Sequence, residues 1–440
     1  MHGLSIAGPP HPALARDLTN LPQFLARQDD VVLVERRPTV EFLSGLKDAG
    51  FSLPEFVALE GGHIAPGDPL LQRKLARLRP WAWGPDSAAL LDPLRPQLTT
   101  PHASAASGFP EPLADLYSKS WSASFLRAAL TSGDVTPAVL SPDESLAHWL
   151  CTEDVIGVTV HSVDEAMERI SAIRRAGHHR VVIKESLGLA GRNMMRLWEP
   201  AILDAQRQWL ARALSSGRGV VVEPWLDRVA DFSVQMEMDT HGLRIVGYTG
   251  LQNDARGQFQ ANWAGPRSPR KPPQSVYDHL PEAGSAHGRI LRLYGVLAAL
   301  LEPHLVAMGH TGPLGLDALV YRHPGGGCRL KPVVEINPRY TMGRLTLELM
   351  RQVAPGVSGV FRLIPRSAAA AESRLFDVFQ NAVGGRLEHP VDLFHDLFPG
   401  GGRRGENRGA QGFDLIGIVA VFGLMPLNGC DLFGRFSGVI

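Results

Sequence analysis

Cysteine is scarce in this 440-residue chain: three residues, Cys151, Cys328 and Cys430, far apart and odd in number. That count and spacing exclude a disulfide framework and the paired spacings of zinc sites, and they suit a reducing compartment. An excess of either charge is also missing. Lys+Arg and Asp+Glu both total 44, so no overall field draws the chain to nucleic acid or to an anionic membrane. The N-terminus, MHGLSIAGPPHP, lacks the basic start and apolar run of a secretory signal. Long apolar runs are absent too. The most apolar, Leu415 to Met425, is too short to span a bilayer and contains Gly417 and Gly423. What remains is an ordinary globular composition, 44% hydrophobic and 20% charged, long enough for two or three packed units. The expectation is a soluble cytoplasmic protein with neither a nucleic-acid nor a membrane partner.

Residues 1–28 are Pro-rich and read as a loosely attached leader. Residues 29–114 read as a small α/β unit. Val31–Val34 is a buried-strand run, a helix beginning near Thr39 is ended by Gly50, and Phe56–Leu59 is a second strand, a spacing that predicts a parallel pair. Asp86 or Ser87 is expected to cap a helix over Ala88–Leu91, with Trp81 and Trp83 packed against it. A Pro/Ser/Ala-rich connection, Pro96 to Pro112, closes the unit.

The second unit, 115–353, alternates helices and strands. A helix opens at Ser118-Lys119, a strand covers Val155–Val160, and a helix capped at Ser162 runs to Arg175. The strand Val181–Ile183 leads into Lys184 and a loop, a helix spans 201–214, and a strand spans Gly219–Leu226. Strands at Phe232–Glu237 and Leu243–Thr249 follow. Residues 262–285, with five prolines, read as a long loop of the kind that covers a site. The helix Arg289–Met308 precedes two strands joined at Pro324–Gly327. Residues 354–440 form an extension without an assigned role, in which 398–412 reads as exposed and flexible.

The chemistry concentrates in Leu330 to Arg344, LKPVVEINPRYTMGR. Glu335 and Asn337 alternate with Ile336, so they share a strand face and can hold one Mg²⁺, which takes hard oxygen ligands. Arg339 lies two residues on, suited to the same phosphates. Asp317, flanked by apolar residues in GPLGLDALVYR, adds a carboxylate from a neighbouring strand. Lys184 ends a VVI strand before a loop containing Gly188 and Gly191, where an ammonium and a closely approaching backbone can meet phosphate. Glu223-Pro224-Trp225-Leu226 ends another apolar strand and can offer backbone groups to an adenine edge. Taken singly, each stretch also fits a solvated strand end. Their order is the signal.

That order resembles the ATP-grasp superfamily, which includes D-alanine ligases, glutathione synthetases, biotin carboxylases and carbamoyl-phosphate synthetase large chains. The resemblance covers about residues 115–350, most specifically in EINPR with its preceding Asp317 strand, and next in VVIKESLGLAGRNM. It implies an α/β chain with an α+β ATP-grasp core: a small N-terminal parallel α/β domain, then a two-lobed ATP-grasp domain. It implies Lys119 and Lys184 on the phosphates of ATP, with the loop from Gly188 to Gly191 over them. Glu223, Pro224, Trp225 and Leu226 become the adenine-side linker, and Asp231 lies near the ribose and phosphates. Asp317, Glu335 and Asn337 hold one or two Mg²⁺ (or Mn²⁺), and Arg339 steadies the transferring phosphoryl group. Arg344 and Arg192 are candidates for a substrate carboxylate.

The implied activity is ATP-dependent ligation. A small-molecule carboxylate is activated as an acylphosphate and joined to an amine or other nucleophile, such as an amino acid or peptide, with release of ADP and phosphate. A homodimer is the expectation from base rates. The alternative is a nucleotide-binding sensor or partner-binding protein of the same fold. The presence of both lysines and all three metal candidates argues against it.

Overall fold

Val31–Val34 (β1), Val40–Asp48 (α1) and Glu55–Ala58 (β2) form the expected strand–helix–strand, and β1 and β2 pair in parallel from Val31 opposite Glu55. Gly50, at φ 84°, ends α1 in the left-handed conformation that favours glycine. These positions belong to a computed structural model. It describes residues 21–48, 50–99, 109–133, 135, 149–187, 193–198, 200–280, 288–352, 356, 358–365 and 415–423.

Three N-terminal expectations change. The chain from Leu21 is not loose. Leu21 is buried and packs with Leu345, Leu349 and Phe361, because a short apolar turn there meets an otherwise open helix face. The helix Pro85–Leu91 (α2) is capped at Gly84, with proline at its first position; Ser87 Oγ accepts from the Gly84 N–H. Trp83 enters the main core, whereas Trp81 packs on Tyr340 at 5.8 Å between ring centroids.

After Glu111–Leu116 (α3) and Lys119–Thr131 (α4) comes a four-stranded antiparallel sheet. Its strands are Val158–Val160 (β3), Val181–Glu185 (β4), Met194–Leu197 (β5) and Val220–Pro224 (β6), in the spatial order β3-β6-β4-β5. Val155 lies in a short turn ahead of β3 rather than in the strand. Helices Val163–Arg175 (α5) and Asp204–Leu214 (α6) cover one face. Val181 and Ile183 of β4, with Val220 and Val222 of β6, point to Ile170, Ile173 and Leu210. The period of two therefore turns Lys184 and Glu223 to the opposite face.

The larger sheet is seven-stranded. Asp227–Asp239 (β7), Gly242–Asn253 (β8), Phe259–Ala264 (β9), Gly312–Arg322 (β10), Cys328–Asn337 (β11), Ser358–Pro365 (β12) and Leu415–Gly423 (β13) lie in the order β11-β10-β7-β8-β9-β12-β13. Every neighbouring pair is antiparallel. The described part of the expected loop 262–285, residues 262–280, is thus not one loop. Ala261, Asn262 and Ala264 are buried in β9, Pro266, Pro269, Pro272 and Pro273 lie between that strand and the short helix Gln274–His279 (α7), and Pro281 lies outside the described residues. The apolar run from Leu415 is the edge strand β13. The segment 398–412 lies outside the described residues.

Helix Arg289–Ala307 (α8) presents Leu293, Leu297 and Leu301 at helical spacing to one face of this sheet. Among the described residues it is the one helix long and apolar enough to cross a membrane, and eight of its residues are buried. Phe232, Val234 and Met236 of β7 and Leu314, Leu316 and Ala318 of β10 meet the same core. Alternation puts Ser233, Gln235, Glu237 and Asp317 on the other face, in register with Glu335 and Asn337 of β11. Helix Met342–Leu349 (α9) packs near that polar face. The core runs without a break from Val57 and Trp83 to Ile336, so the first unit and the large sheet share it. The fold is α+β.

Candidate active site

Two polar faces meet where the sheets approach. Ser118 caps α4, its Oγ accepting from the Ser120 N–H, and the Lys119 N–H donates to the Ser186 carbonyl at 2.8 Å. These bonds fix Lys119, whose Nζ donates to Glu335 Oε1 at 2.9 Å. Ser122 Oγ of the same helix accepts from the Ile336 N–H at 3.0 Å, which covers the free edge of β11.

From the smaller sheet, Lys184 forms a close ion pair with Glu223. Lys331, on β11, reaches across to Glu223 Oε2 at 2.7 Å and to the Val155 carbonyl at 3.0 Å. Burial pushes the Glu223 carboxyl upward, but the two ammonium groups outweigh it and hold the group down at about 2. Glu335 is lowered in the same way: burial opposes, and Lys119 prevails. The gap enclosed by Lys119, Lys184, Glu223, Lys331, Val221 and Val333 has room for about 10 Å³, roughly one water.

On the large sheet, Asp317 stands directly opposite Glu335, and the Asn337 amide donates to Asp317 Oδ2 at 3.1 Å. A buried chain of donors supports it from behind. Thr341 donates to Gln235 Oε1 at 2.7 Å, Gln235 Nε2 donates to Ser233 Oγ at 2.8 Å, and Ser233 donates to Asp317. Asp231 occupies the adjacent same-face position of β7, where Asn253 donates to it at 3.0 Å and burial raises its carboxyl. Burial first, then the charge of Glu335, pushes Asp317 up to about 6. Two facing carboxylates that resist sharing a negative charge are a hard-oxygen donor pair whose repulsion a divalent cation would relieve. Asp317, Glu335 and Asn337 therefore fit Mg²⁺ or Mn²⁺. The described residues contain no group of three His, Cys, Asp or Glu side chains placed to hold a metal ion. Arg339 donates to Asn337 Oδ1 at 3.0 Å and so lies beside the same cluster.

The structure thus brings together Lys119, Lys184, Asp231, Asp317, Glu335, Asn337 and Arg339. Other expectations change. Arg344 is no open carboxylate receptor: it is buried, donating to Glu237 at 2.7 Å and Glu348 at 2.9 Å, because the first turn of α9 lies over the polar face of β7. The Glu223 side chain, expected on the adenine side, is paired with Lys184 and Lys331. Pro224 pairs with Val181, and the Trp225 N–H already donates to the Arg180 carbonyl at 2.9 Å. Leu226 is buried in the main core, and the Trp225 ring meets Trp198 and Arg228. Gly188, Gly191 and Arg192 lie outside the described residues.

Sequence reading missed Lys331, Ser233, Gln235 and Thr341. The alternation of polar residues in DFSVQME was the available signal for Ser233 and Gln235. Lys331 had none, since its partner lies 108 residues away.

No family model and no curated protein matches the chain. Among solved structures, it is similar to an N5-carboxyaminoimidazole ribonucleotide synthetase in complex with ADP, at 12% identity and a TM-score of 0.49, over 97% of this chain and 94% of that one. The Staphylococcus aureus N5-carboxyaminoimidazole synthetase with ADP is similar at 11% identity and 0.48, over 98% and 95% of the two chains. The L-amino acid ligase from Bacillus licheniformis is similar at 13% identity and 0.38, over 80% and 75%.

Proposed function

We propose that the chain is an ATP-dependent ligase of the ATP-grasp type. In this reading it activates a small-molecule carboxylate as an acylphosphate and joins it to an amine or other nucleophile, releasing ADP and phosphate. One observation carries the reading: a facing carboxylate pair, Asp317 and Glu335, has Lys119 bonded to Glu335, the Lys184 charge acting on the same carboxylate, and Arg339 beside it. Phosphoryl transfer needs positioning and charge neutralisation more than covalent chemistry, and these are the side chains that supply them.

In this account the gap is closed by the protein's own carboxylates. Glu223 and Glu335 occupy the lysines where phosphate oxygens would otherwise sit, and room for one water admits no nucleotide. Entry requires the small sheet to move away, with Lys184 and Lys119 exchanging carboxylate for phosphate. Lys331 stays with Glu223 throughout and keeps a counter-charge on it. Mg²⁺ at Asp317, Glu335 and Asn337 would neutralise phosphate charge when bound. Asp317 keeps its orientation through Ser233, Gln235 and Thr341, and Arg339 steadies the transferred group.

The test is ADP release from ATP with Mg²⁺ and a panel of acids and amines. The reading expects release that needs both Mg²⁺ and an acid, and that Lys184→Met lowers by about 10²-fold or more. Release that persists without any acid, or is indifferent to Lys184, contradicts it.

A further inference from the structure

Beside Arg339, on the side away from the lysines, lies a cleft of about 540 Å³ that the site described above leaves unused. One wall is the segment 76–83; the other is built from the ends of β7 and β10. The segment is fastened to the end of β11. Ala82 and Arg339 form a β-bridge, and the Tyr340 N–H donates to the Trp81 carbonyl at 2.8 Å. Tyr117 Oη lies 2.8 Å from the Trp83 carbonyl and 3.0 Å from that of Pro338. The cleft is therefore preformed, and its volume is in the range of small-molecule pockets, ~300–1,000 Å³.

Its chemistry is uneven. Leu78, Trp81 and Pro313 give it apolar walls, while Arg79 and Arg339 bring guanidinium groups. Arg79 pairs with Glu237, which also accepts from Arg344, itself shared with Glu348; along the cleft lining, Arg77, Arg79 and Arg339 outnumber the carboxylates Glu237 and Asp239. His310 also lines the cleft. It is buried, held neutral by burial that lowers it to about 4, and the polar neighbour that favours its proton is the Pro313 backbone. A neutral imidazole carries one donor and one acceptor nitrogen, so with the Pro313 backbone beside it a second nitrogen is left for a bound polar group.

We propose that this cleft binds the acid that the site activates, an organic acid with an apolar or aryl body. Its carboxylate meets Arg79 and Arg339, its body lies along Leu78, Trp81 and Pro313, and a neutral hydrogen-bonding group at its far end meets His310. The proposal rests on the ligase reading for the word "activates", and on the cleft alone for the class of ligand. Bicarbonate is a poor occupant. It would leave the apolar walls of a cleft of about 540 Å³ uncovered.

The test is calorimetric titration of the nucleotide-free full chain with 3-phenylpropanoate, its amide, acetate and bicarbonate. Two variants accompany it: Arg79→Met, and Ala76→Trp, which fills the cleft from an exposed position. The aryl acid should bind about tenfold or more tighter than its amide or acetate, as expected for a charge-assisted contact. Arg79→Met should weaken it by a similar factor, and Ala76→Trp should abolish it while unfolding at the wild-type urea midpoint. Equal binding of acid and amide, no binding of the acid, or binding untouched by Ala76→Trp overturns the proposal. The two readings separate cleanly. Acid binding that supports no ADP release with any amine removes the ligase and leaves the cleft. ADP release driven by bicarbonate and undiminished in Ala76→Trp leaves the ligase and removes the cleft.

Discussion

Replacing Asp317 with asparagine should make the metal-free protein more stable while disabling the site. The native environment raises the Asp317 carboxyl from 3.8 to about 6, because burial and the facing Glu335 both penalise its charge. For an acid raised in this way, the cost is absent below about pH 4, where native and unfolded chains both hold the proton. It grows as pH rises from 3.8 to about 6 and is constant above. The displacement corresponds to about 3 kcal/mol at most, at 1.36 kcal/mol per unit. The introduced amide keeps one acceptor oxygen for the donors Ser233 and Asn337 and sheds the charge that faces Glu335, so Asp317→Asn should recover about 1–3 kcal/mol at pH 8. Urea denaturation in a chelator, run at pH 8 and at pH 4, measures it. The stability gap should be present at pH 8 and nearly gone at pH 4. Added Mg²⁺ should narrow the gap at pH 8 by stabilising the wild type alone. Equal stability at pH 8, or a larger gap at pH 4, refutes the reasoning.

Other consequences follow from the same geometry. Glu223 is depressed to about 2, so its contribution is present above pH 4.5 and lost as pH falls toward 2. Glu223→Gln should therefore cost about 3 kcal/mol at pH 7 by urea unfolding, mainly by stranding buried Lys331, and a cost below about 0.5 kcal/mol would contradict that assignment. Arg344→Met should lower stability by about 3 kcal/mol, leaving Glu237 poorly paired, yet leave the KM for the acid substrate unchanged; a selective rise in that KM would restore Arg344 as a receptor for a substrate carboxylate. A Cβ on Gly343 would come within 2.6 Å of Gln235 Nε2 and 2.7 Å of Thr249 Oγ1. Gly343→Ala should cost about 1–3 kcal/mol in thermal unfolding, and an unchanged midpoint would show that the Gln235 chain is soft.

How much of this was legible in the sequence depended on whether local pattern decides the outcome. The parallel pair β1–β2, the capped helix α5 and the hairpin at Pro324–Gly327 follow from period and turn chemistry, and all form. The shared face of Glu335 and Asn337 followed from strand alternation, and Asp317 fell opposite Glu335 in the observed register. Prolines misled at 262–285, because Pro266 to Pro273 only separate β9 from α7. Arg344 looked available because nothing local pairs it except Glu348; Glu237, 107 residues earlier, is supplied by tertiary packing. Glu223 and Lys331 are the same kind of case. A pairing of two sheets has no signature in either strand alone.

Nucleotide binding by calorimetry, with and without Mg²⁺, on the wild type and on Glu335→Ala, tests the central claim most directly. The account predicts ATP binding that Mg²⁺ strengthens in the wild type, with the Mg²⁺ effect lost in the variant because Lys119 and the cation site both lose their carboxylate. No ATP binding by the wild type under any Mg²⁺ condition, or a Mg²⁺ effect that survives in Glu335→Ala, would contradict it.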